Sequence, residues 1–370
     1  MGNTNVDLLY PEFWAQAFEE IHPGKYNLHN EVSRKFENQV ADFGDKVNVP
    51  IVPNSEASDY DGSEVTTTDE VTQAAVEVAL DKSKKANFSL KGKEYTMSPY
   101  DLIQTYGVSK AESIIRAVNN DLYLEMLKGT NFGTPINLTD FQEDNVVDIK
   151  DGLDSLKADE INRVLVLSPS AQNKLLKRDA FQYQNYSGTD AQKTGVVDDR
   201  FGFKFVPNHS IAKYTPSDSA GATSSAAIGV AAIAVTAFDD DAKPVRVGDI
   251  LGIADDTTVY TVTSTTLTAG NTTNIGIYPT LQKQITTSKV VTITPSESAI
   301  GMHRSAVALA SRGYAEIPAE LGVRSKIVNY KGLPVRVNVW ASGLVIKVQY
   351  DILYGCKLVH NDRLYRLPLK

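Results

Sequence analysis

One change of composition in the middle of the chain limits how the rest can fold. Between Thr215 and Ser298 the sequence is dominated by Thr, Ser, Val, Ile, Ala and Gly and contains no Trp. It breaks into short β-prone runs at 228–237, 245–253, 258–263, 275–278 and 290–294, with turn signals at Asp239–Asp241, Asp255–Asp256, Ala269–Asn271 and Ser288–Lys289. Runs of this length, closely spaced, read as an all-β unit, a small barrel or sandwich spanning 223–296. The residues on either side resume a mixed helix and strand style, so this unit reads as an insertion into a larger α+β fold.

The remainder divides by pattern. Residues 1–44 combine an aromatic cluster (Tyr10, Phe13, Trp14, Phe18) with a short amphipathic segment carrying Val32, Phe36 and Val40, broken by His22-Pro23-Gly24. That is too little apolar surface for a domain, and it reads as an arm that packs elsewhere, on another copy of the chain. Residues 45–97 show two alternating runs, Val47-Val49-Ile51 and Val76-Val78-Leu80 continuing to Phe88 and Leu90, around the acidic, Ser/Thr-rich stretch Asn54–Glu70. A two-stranded loop that projects from the body accounts for so long a polar connection. In 98–135, Ser98-Pro99-Tyr100-Asp101 starts a helix that Gly107 is expected to interrupt. Ser109-Lys110-Ala111-Glu112 restarts it as a long spine through Ile114, Ile115, Val118, Leu122 and Met126 to Lys128. Residues 136–222 suggest a small α/β layer: a helix over 146–156, the buried strand Arg163–Leu167, a helix capped by Ser168-Pro169, and a strand over 201–207. In 297–370 a hairpin joins 333–340 to 344–354 through Ala341-Ser342-Gly343, and a last strand covers 363–367.

Chemistry is scarce. No phosphate-binding Gly-rich loop, dinucleotide fingerprint or nucleophile elbow is present, and the five histidines form no metal-ligating pair. The lone cysteine, Cys356, sits in an apolar run and reads as a buried small hydrophobe. Asp239–Asp241 and Asp59-Tyr60-Asp61-Gly62 read as solvated acidic turns. Accordingly no catalytic, cofactor or metal residue is assigned. With 37 basic against 45 acidic residues the net charge is −8, which argues against tight nucleic-acid binding. The concentration of Lys82, Lys84, Lys85, Lys91 and Lys93 on the second loop strand and its exit has two readings: contact with an acidic neighbour, or protection of an exposed edge.

Three segments, Gly301-Met302-His303-Arg304-Ser305-Ala306-Val307-Ala308-Leu309-Ala310, Gly332-Leu333-Pro334-Val335-Arg336-Val337 and Tyr350-Asp351-Ile352-Leu353-Tyr354-Gly355, followed by a short terminal strand, resemble the closing pattern of tailed-bacteriophage major capsid proteins. The similarity is to the podovirus coat-protein branch with an inserted β-domain. It implies the Hong Kong ninety-seven capsid fold: N-terminal arm, extended two-stranded loop, spine helix, α/β axial domain, peripheral β-hairpin and inserted all-β domain. It further implies a non-enzymatic subunit, assembled in the bacterial host cytoplasm as hexamers and pentamers of an icosahedral virion shell. Implied partners are other copies of itself, portal and scaffolding proteins, and weakly contacted double-stranded DNA, with no membrane and no cofactor. Contacts between subunits are expected at Tyr10, Phe13, Trp14 and Phe18 and at Lys82, Lys84 and Lys85. A β-rich decoration or receptor-binding protein is the alternative, and it predicts an exposed aromatic patch among Phe238, Tyr260 and Tyr278.

Overall fold

A computed structural model describes residues 26–35, 46–51, 74–92, 102–178, 199–211, 213–216, 220–236, 244–268, 272–294, 296–318 and 322–370. Along the chain come β1 (Lys46–Ile51), β2 (Ala74–Ala79), β3 (Lys82–Lys91), α1 (Leu102–Met126), α2 (Glu143–Ser155), β4 (Arg163–Leu167), α3 (Pro169–Leu176) and β5 (Lys204–Pro207). A run of strands follows: β6 (Ala220–Thr223), β7 (Ala232–Thr236), β8 (Ile250–Ile253), β9 (Val259–Thr268), β10 (Thr272–Tyr278) and β11 (Val290–Thr294). The chain closes with β12 (Glu297–His303), β13 (Val307–Arg312), β14 (Val323–Tyr330), β15 (Leu333–Ser342), β16 (Val345–Leu358) and β17 (Leu364–Leu369). No helix among the described residues is long and apolar enough to cross a membrane.

The four-stranded sheet has the order β17-β12-β4-β5, with only β4 and β5 parallel. Every residue of β4 is buried, because both faces of this sheet are covered. Val164 and Val166 face α1, whereas Leu165 and Leu167 join a second core with Val146, Ile149 and Leu153 of α2 and Ala171 and Leu175 of α3. Ser168 caps α3 by accepting from the Ala171 amide at 3.1 Å, and Pro169 occupies its first turn, as the sequence predicts.

Helix α1 is one unbroken element of 25 residues, about 37 Å long. Gly107 does not interrupt it. The Tyr350 hydroxyl passes so close to this glycine that a Cβ there would make that side chain shift. Ile114, Ile115, Val118, Leu122 and Met126 are all buried, and they touch both the four-stranded sheet and the five-stranded sheet β13-β16-β15-β14, to which β3 is added along β16.

That last pairing corrects the expected 45–97 loop. β1 and β2 do form an antiparallel pair, with Lys46 opposite Ala79 and Ile51 opposite Ala74, but β3 leaves it and runs antiparallel to β16, with Lys82 opposite Tyr354 and Lys91 opposite Val345. The alternation of Phe88 and Leu90 serves this larger sheet. The described part of the arm, residues 26–35, is corrected as well. Leu28 and Val32 are buried in the chain's own core against α1, and Ser33 bridges Ala308 of β13.

Strands β6 to β11 close a barrel in the order β10-β7-β6-β11-β8-β9 around its own core, including Val235, Leu251, Tyr260, Ile275 and Val291. The chain departs from β5 and returns at β12, two strands of one sheet, and the neck is tied by the Tyr214 amide donating to the Ser296 carbonyl at 3.3 Å. β6 precedes the boundary expected at 223. Its sequence, Ala-Gly-Ala-Thr, has no large apolar side chains to reveal it.

Where β2 ends, its backbone crosses β16 so closely that a Cβ on Gly355 would overlap the Ala79 carbonyl group. Gly355→Ala forces backbone apart. It is expected to lower the stability of the chain by about 1–3 kcal/mol, read as a shift of the urea midpoint.

Candidate assembly interface

The lysines of β3 alternate along an edge strand whose exposed face carries Ser83, Lys85, Asn87, Ser89 and Lys91. Lys82 and Lys84 turn the other way, toward α1, where their ammonium groups lie 3.9 and 3.6 Å from Asp121. The same carboxylate accepts from the Tyr354 hydroxyl at 2.7 Å, and Lys82 also donates to the Cys356 sulfur at 3.3 Å. Burial pushes the Cys356 thiol up to about 11 against the pull of Lys82, so it stays protonated and unreactive at neutral pH. Burial and the Asp121 charge both push the Tyr354 hydroxyl upward. This is a structural clasp between sheet and helix. Of the three lysines expected at a subunit contact, Lys85 alone stands free of it and exposed, and the edge-protecting reading fits the placement of the strand.

A second clasp holds the arm. Glu31 is buried and binds Lys204 of β5 at 2.6 Å and Arg304 after β12. Burial pushes its carboxyl up, but the hydrogen bonds from Lys204 and Arg304 outweigh that and hold it below its usual range. His29, fully buried, contacts the Lys331 carbonyl at 2.9 Å through Nε2, and its amide donates to Asn119 at 3.2 Å. Burial lowers its pKa, so it is neutral there. Sequence reading missed both residues. Their partners lie far along the chain, and no local pattern reveals them.

The barrel is fastened to the body by Arg366 of β17, which is completely buried. Its guanidinium donates to the Gly248 carbonyl at 2.8 Å and to the Thr261 hydroxyl, and lies 5.5 Å from the Phe132 ring centre. Asp249 beside it is driven up to about 6 by burial, an effect that Arg246 and Arg366 oppose. Arg246 in turn stacks 3.4 Å over Tyr214, whose hydroxyl donates to Pro244 at 2.7 Å.

No sequence profile of a known family and no curated protein sequence matches the chain. Solved structures do. The cyanophage P-SCSP1u capsid structure superposes with a TM-score of 0.56 at 12% identity, covering 100% of this chain and 95% of that one. A Mycobacterium phage Che8 structure gives 0.55 at 12% identity, covering 97% and 98%. The Ralstonia phage GP4 capsid gives 0.52 at 10% identity, covering 96% and 93%.

The chain has the phage capsid-protein fold.

Among the described residues no group of three His, Cys, Asp or Glu side chains could hold a metal. Tyr10, Phe13, Trp14, Phe18, Lys93 and the Asp239–Asp241 turn lie outside the described residues. Of the three aromatics that a receptor-binding barrel would expose, Tyr260 is wholly buried, Tyr278 is half-exposed, and Phe238 lies outside the described residues.

Two expectations follow from the clasps. Tyr354→Phe removes a buried hydrogen bond to a carboxylate and is expected to cost about 1.5–3 kcal/mol in urea unfolding, whereas Lys84→Met, at a half-exposed ion pair, costs under about 1 kcal/mol. Glu31 titrates lower in the folded chain than in the unfolded one, so its stabilisation is complete above its unfolded value of 4.5 and is lost as pH falls through the lower folded value. The stability gap between the wild-type chain and Glu31→Gln is therefore expected to be constant near neutrality and to close below about pH 4.5, as measured by thermal melts across pH.

Proposed function

We propose that this chain is the major capsid subunit of a tailed phage, non-enzymatic, self-assembling as hexamers and pentamers into an icosahedral head around double-stranded DNA. The observation that carries the reading is coverage: the likeness to the P-SCSP1u capsid structure takes in 100% of this chain and 95% of that one. A resemblance confined to one layer would leave function open. The reading includes membership of the Hong Kong ninety-seven lineage in its branch with an inserted β-domain, here 223–296 extended back to β6. It also includes assembly in the host cytoplasm with scaffolding and portal proteins.

Within this reading the parts divide the work. The α1 sandwich is the rigid body of the subunit. The aromatics Tyr10, Phe13, Trp14 and Phe18 anchor the arm to a neighbour, and Lys85 meets a neighbour from the β3 edge. Shell closure needs heterologous contacts repeated by symmetry, and many modest contacts suffice through multivalency. The acidic balance suits a container, since a basic lining would grip packaged DNA by counterion release.

Negative-stain microscopy of the purified chain, alone and co-expressed with neighbouring genes, tests the proposal. Polyhedral particles or capsomer rings are expected. A small oligomer of fixed size under every condition would overturn it.

A further inference from the structure

Between the barrel and the body lies an open cleft of about 500 Å³. That volume falls in the range of small-molecule sites, and the seam between two packed units is a usual place for one. The body wall is segment 130–134 after α1, the end of α2 from Gly152, and Tyr365 of β17; the barrel wall is Thr257, Val259, Tyr278 and Pro279. The body wall is held in place. Segment 130–134 runs beside β17, with the Gly133 amide donating to the Arg366 carbonyl at 2.9 Å and the Arg366 amide to the Asn131 carbonyl at 3.1 Å. The buried Arg366 guanidinium lies beside the Phe132 ring, and the Tyr365 ring sits so close to Gly152 that a Cβ there would overlap it. The barrel contributes Tyr278, 46% exposed at the end of β10.

Two properties of the lining restrict what can bind. None of the residues that line the cleft is charged. The hydroxyls of Thr134, Thr257, Tyr278 and Tyr365 also make no hydrogen bond within the chain among the described residues. Burial pushes the Tyr365 hydroxyl upward, with Asp148 and Asp151 adding to it, so that group stays protonated and can both give and accept. A charged ligand would lose its water here without gaining a counter-ion. A flat heterocyclic base presents fixed donors and acceptors, but the side-chain nitrogen of Asn131 is already committed to the Asn361 carbonyl at 2.6 Å. A neutral sugar meets both conditions. Its C–H faces stack on aromatic rings such as Phe132, Tyr278 and Tyr365, and its hydroxyls, each a donor and an acceptor, pair with those of the cleft. We propose that the cleft between barrel and body is a binding site for a neutral saccharide, with Tyr278 and Tyr365 as its stacking rings and Thr134 and Thr257 as its hydroxyl partners.

Saturation-transfer NMR on the full chain tests the site, with glucose, galactose, N-acetylglucosamine, maltose and lactose as neutral probes and glucuronate and glucosamine as charged ones. Transfer to at least one neutral probe and to neither charged one is expected, with a dissociation constant of about 1 mM, as suits an open cleft. Thr257→Trp, which fills the cleft from an exposed position, is expected to abolish the transfer. Tyr278→Ala is expected to weaken binding by about three- to tenfold, and both variants to melt as the wild-type chain does. A second measurement keeps the wild-type chain: with isotope-labelled tyrosine, the ring resonances of Tyr278 and Tyr365, assigned by their loss in Tyr278→Phe and Tyr365→Phe, are expected to shift on titration with the bound sugar. No transfer to any neutral probe, equal transfer to the charged ones, transfer that survives Thr257→Trp undiminished, or rings that do not shift would each overturn the inference. The capsid reading is tested separately by particle microscopy and stands or falls without it.

Discussion

A helix buried on two opposite sides organises this subunit. An amphipathic helix at a surface needs only one apolar stripe, but α1 meets the four-stranded sheet on one side and the five-stranded sheet on the other. Side chains such as Ile114 and Leu122 are therefore wholly enclosed, and polar groups on the helix must find partners inside the protein. Asn119, fully buried, donates to the Ile115 carbonyl at 2.7 Å. Asp121 collects Tyr354, Lys82 and Lys84, and Glu112 takes Tyr330 at 2.8 Å together with Lys331. The Asp121 and Glu112 contacts tie the helix to the five-stranded sheet, and the Tyr123 hydroxyl, which accepts from the Ser298 amide of β12 at 3.2 Å, ties it to the four-stranded one.

The barrel depends on that arrangement at second hand. Arg366 belongs to β17, the edge of the four-stranded sheet, and reaches the barrel at Gly248 and Thr261. A buried guanidinium costs a great deal unless its donors are matched. Its two terminal nitrogens are matched where β17, the turn before β8 and strand β9 meet, while its Nε has no hydrogen-bond partner among the described residues. The joint is thus held by bonds from one buried side chain, and the neck beside it by the Tyr214–Ser296 backbone bond. Gly248 faces the Leu127 carbonyl just past the end of α1, so the helix end, the last strand and the barrel converge at one place.

The legible parts of the fold were those with local causes. Strand 163–167 and the cap at Ser168-Pro169 match the structure residue for residue, because an apolar run followed by a capping signal needs no distant information. The hairpin of β15 and β16 was readable from its turn, and Val290–Thr294 from its alternation. The readings that failed depended on partners far along the chain. Gly107 looked like a break because the Tyr350 hydroxyl that packs against it lies 243 positions later. β3 has the alternation of a hairpin strand and the partner of a sheet strand, and nothing within it distinguishes the two. β14 went unread because edge exposure mixes apolar and charged residues until no period survives. The lysines of β3 were visible as a group, but their inward and outward members separate only once Asp121 is in place.

Both free edges of the large sheet, β3 and β14, carry cations, and the two behave differently. On β3 two of the lysines are tied to the helix, so the edge presents Lys85 and Lys91 against a background of Ser and Asn, a surface poorly suited to accept an apolar strand. On β14 the cations have no partner among the described residues, the neighbouring side chains are Ile327 and Val328, and one outward amide is held by a carboxylate that solvent can reach. A tied charge resists rearrangement, because separating it from its partner leaves a half-buried carboxylate uncompensated. A free charge on an edge costs little to redirect. The first edge is therefore tied to the core behind it, while the second leaves its cations in solvent and one outward amide on an exposed carboxylate.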